Sequence, residues 1–297
     1  MARSLSTRTG PRIACEITPE RVITARVSRD GNSIETYAVR SLAPGAVVPS
    51  LTDANLTDSV AVRHSIREAM AAVGERSRDV TAILPDATVR IALLDFDSLP
   101  EKREEQQATV RFRLKKTLPF DVEQAAVSYD VSRVNGSLRV IAAVVLTSVL
   151  EEYEYQFREL GLSPGVVLPS MLAALGNVSG DEPTLVMKVD TVTTSLAISG
   201  GGQLLLFRTL ENPRGTMQSV AELVEAVHPS LVFFQDTYGM QVSRILVGGL
   251  VSAEQMAPAL SEQTGIRVDD LVSSTYVGST GSIPKSILAG VVGALIS

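Results

Sequence analysis

A chain of 297 residues exceeds what one comfortable hydrophobic core supports, so two lobes are expected. Apolar residues make up 45% and charged residues 20%, an ordinary globular balance; a net charge of −6 without a Lys/Arg block argues against a grip on nucleic acid. The single cysteine, Cys15, excludes an internal disulfide and fits a reducing compartment, and no apolar run reaches the ~20 residues of a membrane span.

In chain order, the polar start MARSLSTRTGPR lacks the apolar core of a signal peptide, and residues 1–11 are expected to be disordered. Residues 12–16, 22–27 and 33–41 form a β-meander around the turns Thr18-Pro19-Glu20 and Arg29-Asp30-Gly31-Asn32. Residues 58–73 place Val62, Ile66, Ala69, Met70 and Val73 on one helical stripe, with Asp58 as the cap. A buried strand at 80–84 is broken by Pro85-Asp86, and extended structure resumes at 89–96. Ser98-Leu99-Pro100-Glu101 has the pattern of a capping box and predicts a helix to about Leu118, stopped by Pro119, with Val110, Leu114 and Leu118 buried. The acids Glu101, Glu104 and Glu105 at its start and the bases Arg111, Arg113, Lys115 and Lys116 at its end suit the helix dipole.

Strands at 125–132 and 138–146 around Asn135-Gly136, and a helix at 148–160 ending at Gly161, complete a helix–strand–strand–helix insert. Residues 165–168 and 169–175 return to the first lobe as strand and helix. A second meander, 184–189, 194–199 and 203–210, turns at Gly200-Gly201-Gly202 and repeats the layout of the first. Helices at 217–234 and 253–265 flank a buried strand at 245–247 that ends in Gly248-Gly249, and Gly278-Ser279-Thr280-Gly281 leads to an apolar closing helix at 283–296. The divisions implied are 12–96 and 164–180 for the first lobe, 97–163 for the insert, 181–282 for the second lobe and 283–297 for the closing helix.

Four stretches resemble one family in the right order: FDSLPEKREEQQATVRFRLKKTLPFDVEQAAVSYDV, LTSVLEEYEYQFRELGLSPGVVLPSMLAAL, ELVEAVHPSLVFFQD and ILVGGLVSAEQM. The family is PilM, the actin-like cytoplasmic component of type IV pilus assembly, with the cell-division protein FtsA a more distant relative. The resemblance implies an α/β, actin-like (ribonuclease H-like duplicated) two-lobe fold with a small α+β insert in the first lobe.

Actin-like ATPases hold the nucleotide phosphates on two hairpin turns written Asp-x-Gly, whose glycine admits the phosphate and whose aspartate positions Mg²⁺. Aligned on the family, the first turn reads Glu16-Ile17-Thr18 and the second Lys188-Val189-Asp190. Thr18 puts a Cβ where the phosphate would approach, Lys188 replaces the metal-binding acid, and Asp190 would repel a polyphosphate by ~1–4 kcal/mol. Sliding the register leaves Val192 at the glycine position. Catalysis looks lost, and no catalytic residue is assigned. Gly248-Gly249 accommodates adenosine in the family, though close packing explains such a pair equally well. No cofactor is expected; if ATP with Mg is retained, Glu16, Thr18, Lys188, Asp190, Gly248 and Gly249 are its contacts. Lys188 can instead pair with Glu16 or Asp190 across the cleft, a pair worth little if it is wet.

His64 and His228 have no ligand neighbours at metal spacing, no nucleophile elbow is visible, and Cys15 reads as core. The resemblance leaves two functions open. One is a scaffold that takes the N-terminal cytoplasmic peptide of a PilN-type single-pass inner-membrane protein in a groove between the first lobe near Val89 and the insert near Phe112. Such a chain would be cytoplasmic and peripheral at the inner membrane, would meet other pilus platform proteins, could self-associate, and would neither enter the membrane nor bind nucleic acid. The other is an actin-like ATPase or filament former; the equivalent component of a type II secretion system is a further alternative.

Overall fold

β-branched and leucine-rich runs separated by turns give two sheets of the same plan. The computed structural model describes residues 10–74, 77–134, 136–212, 218–278 and 280–296. In the first lobe, β1 (Ile13–Ile17), β2 (Arg21–Val27) and β3 (Ile34–Ser41) form the antiparallel meander. Helix α1 (Ser59–Val73) opens where the Asp58 carboxylate accepts the Ala61 N–H at 2.9 Å, satisfying one of the free amides of the first turn. It closes at Gly74, whose φ of 65° suits glycine. Its stripe Val62, Ile66, Ala69 and Val73 is buried. Strand β4 (Asp79–Leu84) then pairs parallel with β1.

The next elements are β5 (Arg90–Phe96), α2 (Arg103–Leu114), β6 (Ala125–Val134), β7 (Ser137–Leu146), α3 (Thr147–Arg158), β8 (Ser163–Pro169) and α4 (Ser170–Ala174). The second lobe follows with β9 (Thr184–Val189), β10 (Thr193–Gly200), β11 (Gln203–Glu211), α5 (Val220–Tyr238), β12 (Arg244–Gly249), α6 (Ala253–Thr264) and β13 (Arg267–Asp270), and α7 (Ala289–Ile296) closes the described chain. The first sheet runs β3-β2-β1-β4-β8 and the second β11-β10-β9-β12-β13, so each meander is extended by two parallel strands on the same side. The third sheet, β5-β7-β6, belongs to the insert.

The insert departs from the sequence reading in several ways, and α2 ends at Leu114 rather than near Leu118. Helix α2 begins at Arg103 without a side-chain cap, not at Ser98, because Leu99 precedes Pro100 and is driven from helical dihedrals. Strand β5 pairs with β7 and so lies in the insert sheet, not in the first lobe as the 12–96 division has it. Helix α3 leaves the insert, because Val149, Tyr153 and Phe157 pack with Val62 and Ile66 of α1 in the first-lobe core. Strand β13 carries charges along a sheet edge and has no counterpart in the sequence reading. Residues 1–9 of the start for which disorder was expected, and Asn135, Met217 and Ser279, lie outside the described residues.

A second core joins the lobes. Ala14, Ile23 and Ile83 share it with Val186, Ala197 and Leu246, and Val291, Val292 and Leu295 of α7 lie within it. Helix α7 approaches so closely that a Cβ at Gly290 would fall 2.4 Å from Glu16 Oε2, and one at Gly293 would fall 2.1 Å from the Ala173 carbonyl oxygen. Among the described residues no helix is long and apolar enough to cross a membrane.

Candidate functional site

The ends of β1 and β9 carry Glu16 and Lys188 into the seam between the lobes. Lys188 Nζ lies 3.3 Å from Glu16 Oε1, and the two side chains are 5% and 1% exposed. Ser170 Oγ also donates to Glu16 Oε1, while Glu16 Oε2 has no hydrogen-bond partner among the described residues. Asp86 and Asp190, both buried, complete the cluster. Burial opposes the charge of Lys188, but Glu16, then Asp86 and Asp190, outweigh it and hold the ammonium pKa above its ordinary value. Burial pushes Asp86 up to about 6 against the pull of Lys188, and burial likewise raises Asp190.

Each hairpin turn is closed by its own side chains. In the first, Thr18 Oγ1 accepts the Glu20 N–H at 3.3 Å and the Arg21 N–H at 3.2 Å, and donates to Glu20 Oε2 at 2.9 Å. In the second, Asp190 Oδ1 accepts the N–H groups of Val192 and Thr193 at 2.8 and 2.6 Å, and Thr193 Oγ1 donates to Oδ2 at 2.9 Å. The two turns also meet directly. Glu20 Oε1 accepts the Thr191 N–H at 3.1 Å and the Thr191 hydroxyl. A carboxylate of the first lobe thus occupies one amide and one hydroxyl donor of the second.

Gly248 and Gly249 have packing reasons to be glycine. A Cβ on Gly249, whose φ is +80°, would fall 2.1 Å from the Val189 carbonyl oxygen, and one on Gly248 would meet Leu271 and Ala289 at 3.2 and 3.3 Å. The cavity bordered by Glu16, Thr18, Glu20, Lys188, Asp190 and Gly249 has a volume of only ≈ 20 Å³, room for about one water. The space between the turns does not fit Mg-ATP as it stands: the turn amides are engaged, Asp190 stands at the phosphate position, and this cavity is far below the ~300 Å³ of a small-molecule site, while a separate cavity of ≈ 780 Å³ borders the second turn at Val192 and Thr193. The seam therefore brings together five of the six residues named from sequence, in a pattern that ties lobe to lobe, while Gly248 packs on Leu271 and Ala289.

Sequence reading missed two members. Asp86 looked like a strand breaker, yet its Oδ1 accepts the Met171 N–H at 2.8 Å and its Oδ2 accepts the Ser195 hydroxyl at 2.9 Å, across 85 and 109 residues. Glu20 read as turn chemistry only.

A separate apolar groove of ≈ 170 Å³ lies between the first lobe and the insert, walled by Leu84, Val89, Leu150, Val167, Leu168 and Pro169 against Ala126, Val127, Ala143 and Val145. Val89 is one of its lining residues. Phe112 is not: it is 68% exposed on the outer face of α2, beside a shallow depression with Glu104, Arg111 and Lys115. The insert side of the groove comes from β6 and β7, because α2 turns Val110 and Leu114 inward onto the insert's own core.

No family model matches the chain, and no curated protein matches it in sequence. Among solved structures, a chain of the PilM-PilN type IV pilus biogenesis complex superposes with a TM-score of 0.79 at 17% identity, covering 96% of this chain and 98% of that one. A Bacteroides thetaiotaomicron protein with an actin-like ATPase fold and unknown function reaches a TM-score of 0.55 at 10% identity, covering 93% and 97%. The cytoplasmic domain of EpsL, an inner-membrane component of the Vibrio cholerae type II secretion system, reaches 0.51 at 10% identity, covering 89% and 98%. Together with the paired sheets, these likenesses establish that the chain has the actin-like two-lobe fold.

Proposed function

We propose that this chain is a docking scaffold of a type IV pilus assembly platform that binds the N-terminal cytoplasmic peptide of a PilN-type single-pass inner-membrane protein, and that its nucleotide cleft is degenerate. The observation that carries the reading is a contrast in space. The seam where phosphates would lie holds ≈ 20 Å³ and is filled by Thr18, Glu20 and Asp190, whereas the groove beside the insert holds ≈ 170 Å³ and is lined mainly by apolar side chains. The strands bordering that groove, β6 and β8, are each the terminal strand of their sheet, which suits an extended peptide that pairs through its backbone. Similarity to PilM in a complex with PilN supports the identity of the partner. On this reading the chain works in the cytoplasm, peripheral at the inner membrane through that partner, and contacts other platform proteins.

A second reading, the equivalent component of a type II secretion system, draws support from the likeness to EpsL. It differs in the membrane partner, not in the degenerate cleft. Titration of the full chain with a fluorescent peptide copying the cytoplasmic N-terminus of the PilN-type protein of the same organism tests the first. Saturable binding abolished by Val127→Asp, with no change in melting temperature on adding millimolar Mg-ATP, is the expected result. A melting temperature that rises with Mg-ATP would overturn the degenerate cleft, since a ligand at 100 times its Kd adds about 2.7 kcal/mol. Binding of a type II secretion peptide in place of the pilus peptide would favour the second reading.

A further inference from the structure

The end of α2 carries the run Arg111-Phe112-Arg113-Leu114-Lys115-Lys116, four cations within six residues of a chain whose net charge is −6. Leu114 is buried, whereas Phe112, at 68%, is the most exposed aromatic side chain among the described residues. The helix dipole accounts for cations at the C-terminal end of a helix, but not for a ring held in water beside them. Arg111 is engaged locally, donating to the Val122 carbonyl at 2.7 Å and the Ala125 carbonyl at 3.2 Å. The Arg113 guanidinium lies 5.5 Å from the centroid of the Phe96 ring. Lys115 and Lys116 are exposed, and neither they nor Arg113 form an ion pair among the described residues. The turn continues past the helix through the Lys115 N–H on the Arg111 carbonyl at 3.0 Å, so the ring and the two ammonium groups, three and four residues on, share one side. Glu104 and Glu123 border the depression beside Phe112, which leaves the positive field at the Arg113, Lys115 and Lys116 end.

This patch is separate from the groove. Helix α2 packs through Val110 and Leu114 on Val140, Ala142 and Val144, while the groove takes Ala143 and Val145 from the alternate positions of the same strand. The patch therefore lies beyond the opposite face of the insert sheet and stays free when the groove is filled.

We propose that the end of α2 is a membrane-contact site, at which Arg113, Lys115 and Lys116 take the phosphate groups of anionic phospholipids and Phe112 settles among the headgroups. A few cations and one ring hold a protein to a bilayer weakly and reversibly, which suits a second contact rather than an anchor. The remainder of the chain is acidic, so an anionic surface draws this end toward it and turns the rest away. The site goes beyond attachment through a membrane partner: it sets which face of the insert meets the bilayer. A partner bound in the groove would raise the local concentration of lipid at the patch.

The test mixes the full chain with vesicles of phosphatidylglycerol and phosphatidylcholine and reads binding by flotation. The sequence contains no tryptophan, so Phe112→Trp places a single fluorescent reporter in the patch. Saturable binding to the mixed vesicles, none to phosphatidylcholine alone, a loss as salt rises, and a blue shift of the reporter on binding are expected. Lys115→Glu together with Lys116→Glu should weaken binding by about 25-fold or more, since each cation at the surface is worth about fivefold. Arg29→Glu together with Arg78→Glu, exposed elsewhere and carrying the same change of charge, should weaken it by about twofold or less. Melting temperatures check that each variant is folded; if the glutamate pair is not, Lys115→Gln with Lys116→Gln takes its place. Failure to bind the mixed vesicles, or binding indifferent to the lysine substitutions, overturns the proposal. Binding displaced by duplex DNA without any blue shift would mark a general polyanion surface and overturn the membrane as its occupant. The vesicles contain no peptide, so failure here leaves the scaffold reading to its own titration.

Discussion

Glu16 and Lys188 sit second from the end of β1 and β9, and their side chains meet 3.3 Å apart in a seam that solvent barely reaches. The pair differs from a surface ion pair because Asp86 and Asp190 also face the ammonium and Ser170 donates to one oxygen of the carboxylate. Removing the lysine alone leaves three buried carboxyl groups facing one another. Lys188→Met should therefore destabilise by about 3–5 kcal/mol in urea unfolding, whereas Glu16→Gln together with Lys188→Met should recover part of the loss. Additive single and double variants would show that the two residues do not interact.

Helix α7 depends on two glycines for different reasons. At Gly290 an added Cβ meets the end of the Glu16 side chain, but at Gly293 it meets the backbone carbonyl of Ala173. Side chains move more readily than backbone, so Gly293→Ala should lower the melting temperature more than Gly290→Ala, each costing on the order of 1–3 kcal/mol or more. The reverse order would mean that Glu16 is held more rigidly than α4.

Asp86 should titrate near pH 6, because burial raises its pKa from the ordinary value of 3.8. A carboxyl group whose folded pKa is raised contributes stability that is fully present below the unfolded value and lost as pH rises through the folded value. Its contribution therefore falls between pH 4 and about pH 7. Asp190, shifted in the same direction by burial, adds a contribution of the same sign. Carboxyl-carbon NMR should place the Asp86 midpoint near 6, and Asp86→Asn should remove this component from the pH dependence of the unfolding free energy. A midpoint near 4 would refute the shift.

Two polar links fasten the insert to the second lobe among the described residues: Gln203 Nε2 donates to the Arg133 carbonyl at 2.9 Å, and the other runs through Arg139. Arg139 of β7 binds Asp95 at 2.8 Å and the Tyr238 hydroxyl at 2.6 Å, and that hydroxyl donates to the Leu205 carbonyl at 2.9 Å. Tyr238→Phe should cost about 1–2 kcal/mol and accelerate amide exchange at the end of α5 and along β5. Unchanged exchange in both segments would show that the insert is held elsewhere.

Gly249→Ala offers a last check on the seam. The added methyl would collide with the Val189 carbonyl in a backbone conformation that disfavours any side chain, so the protein should lose stability in the absence of nucleotide. A variant as stable as the wild type would mean that close packing does not account for the glycine.

Both meanders, α1 with its Asp58 cap and the buried strands β4 and β12 were legible because their signals are local: alternation, a capping acid, a turn residue. The start of α2 was misplaced because the capping pattern at Ser98 competes with the effect of Pro100 on Leu99. The sheet to which β5 belongs and the core to which α3 belongs follow from long-range packing that periodicity does not encode. The seam divided in the same way. Glu16, Thr18, Lys188 and Asp190 stood out against a repeated turn pattern, whereas Asp86 and Glu20 acquire a role only when Met171, Ser195 and Thr191 arrive beside them.

A lysine carried on the chain does not diffuse away. In the seam, Lys188 faces Glu16 at a local concentration set by the backbone, and Glu20 faces Thr191 on the same terms. The grip these residues give one lobe on the other is made by side chains of the chain itself.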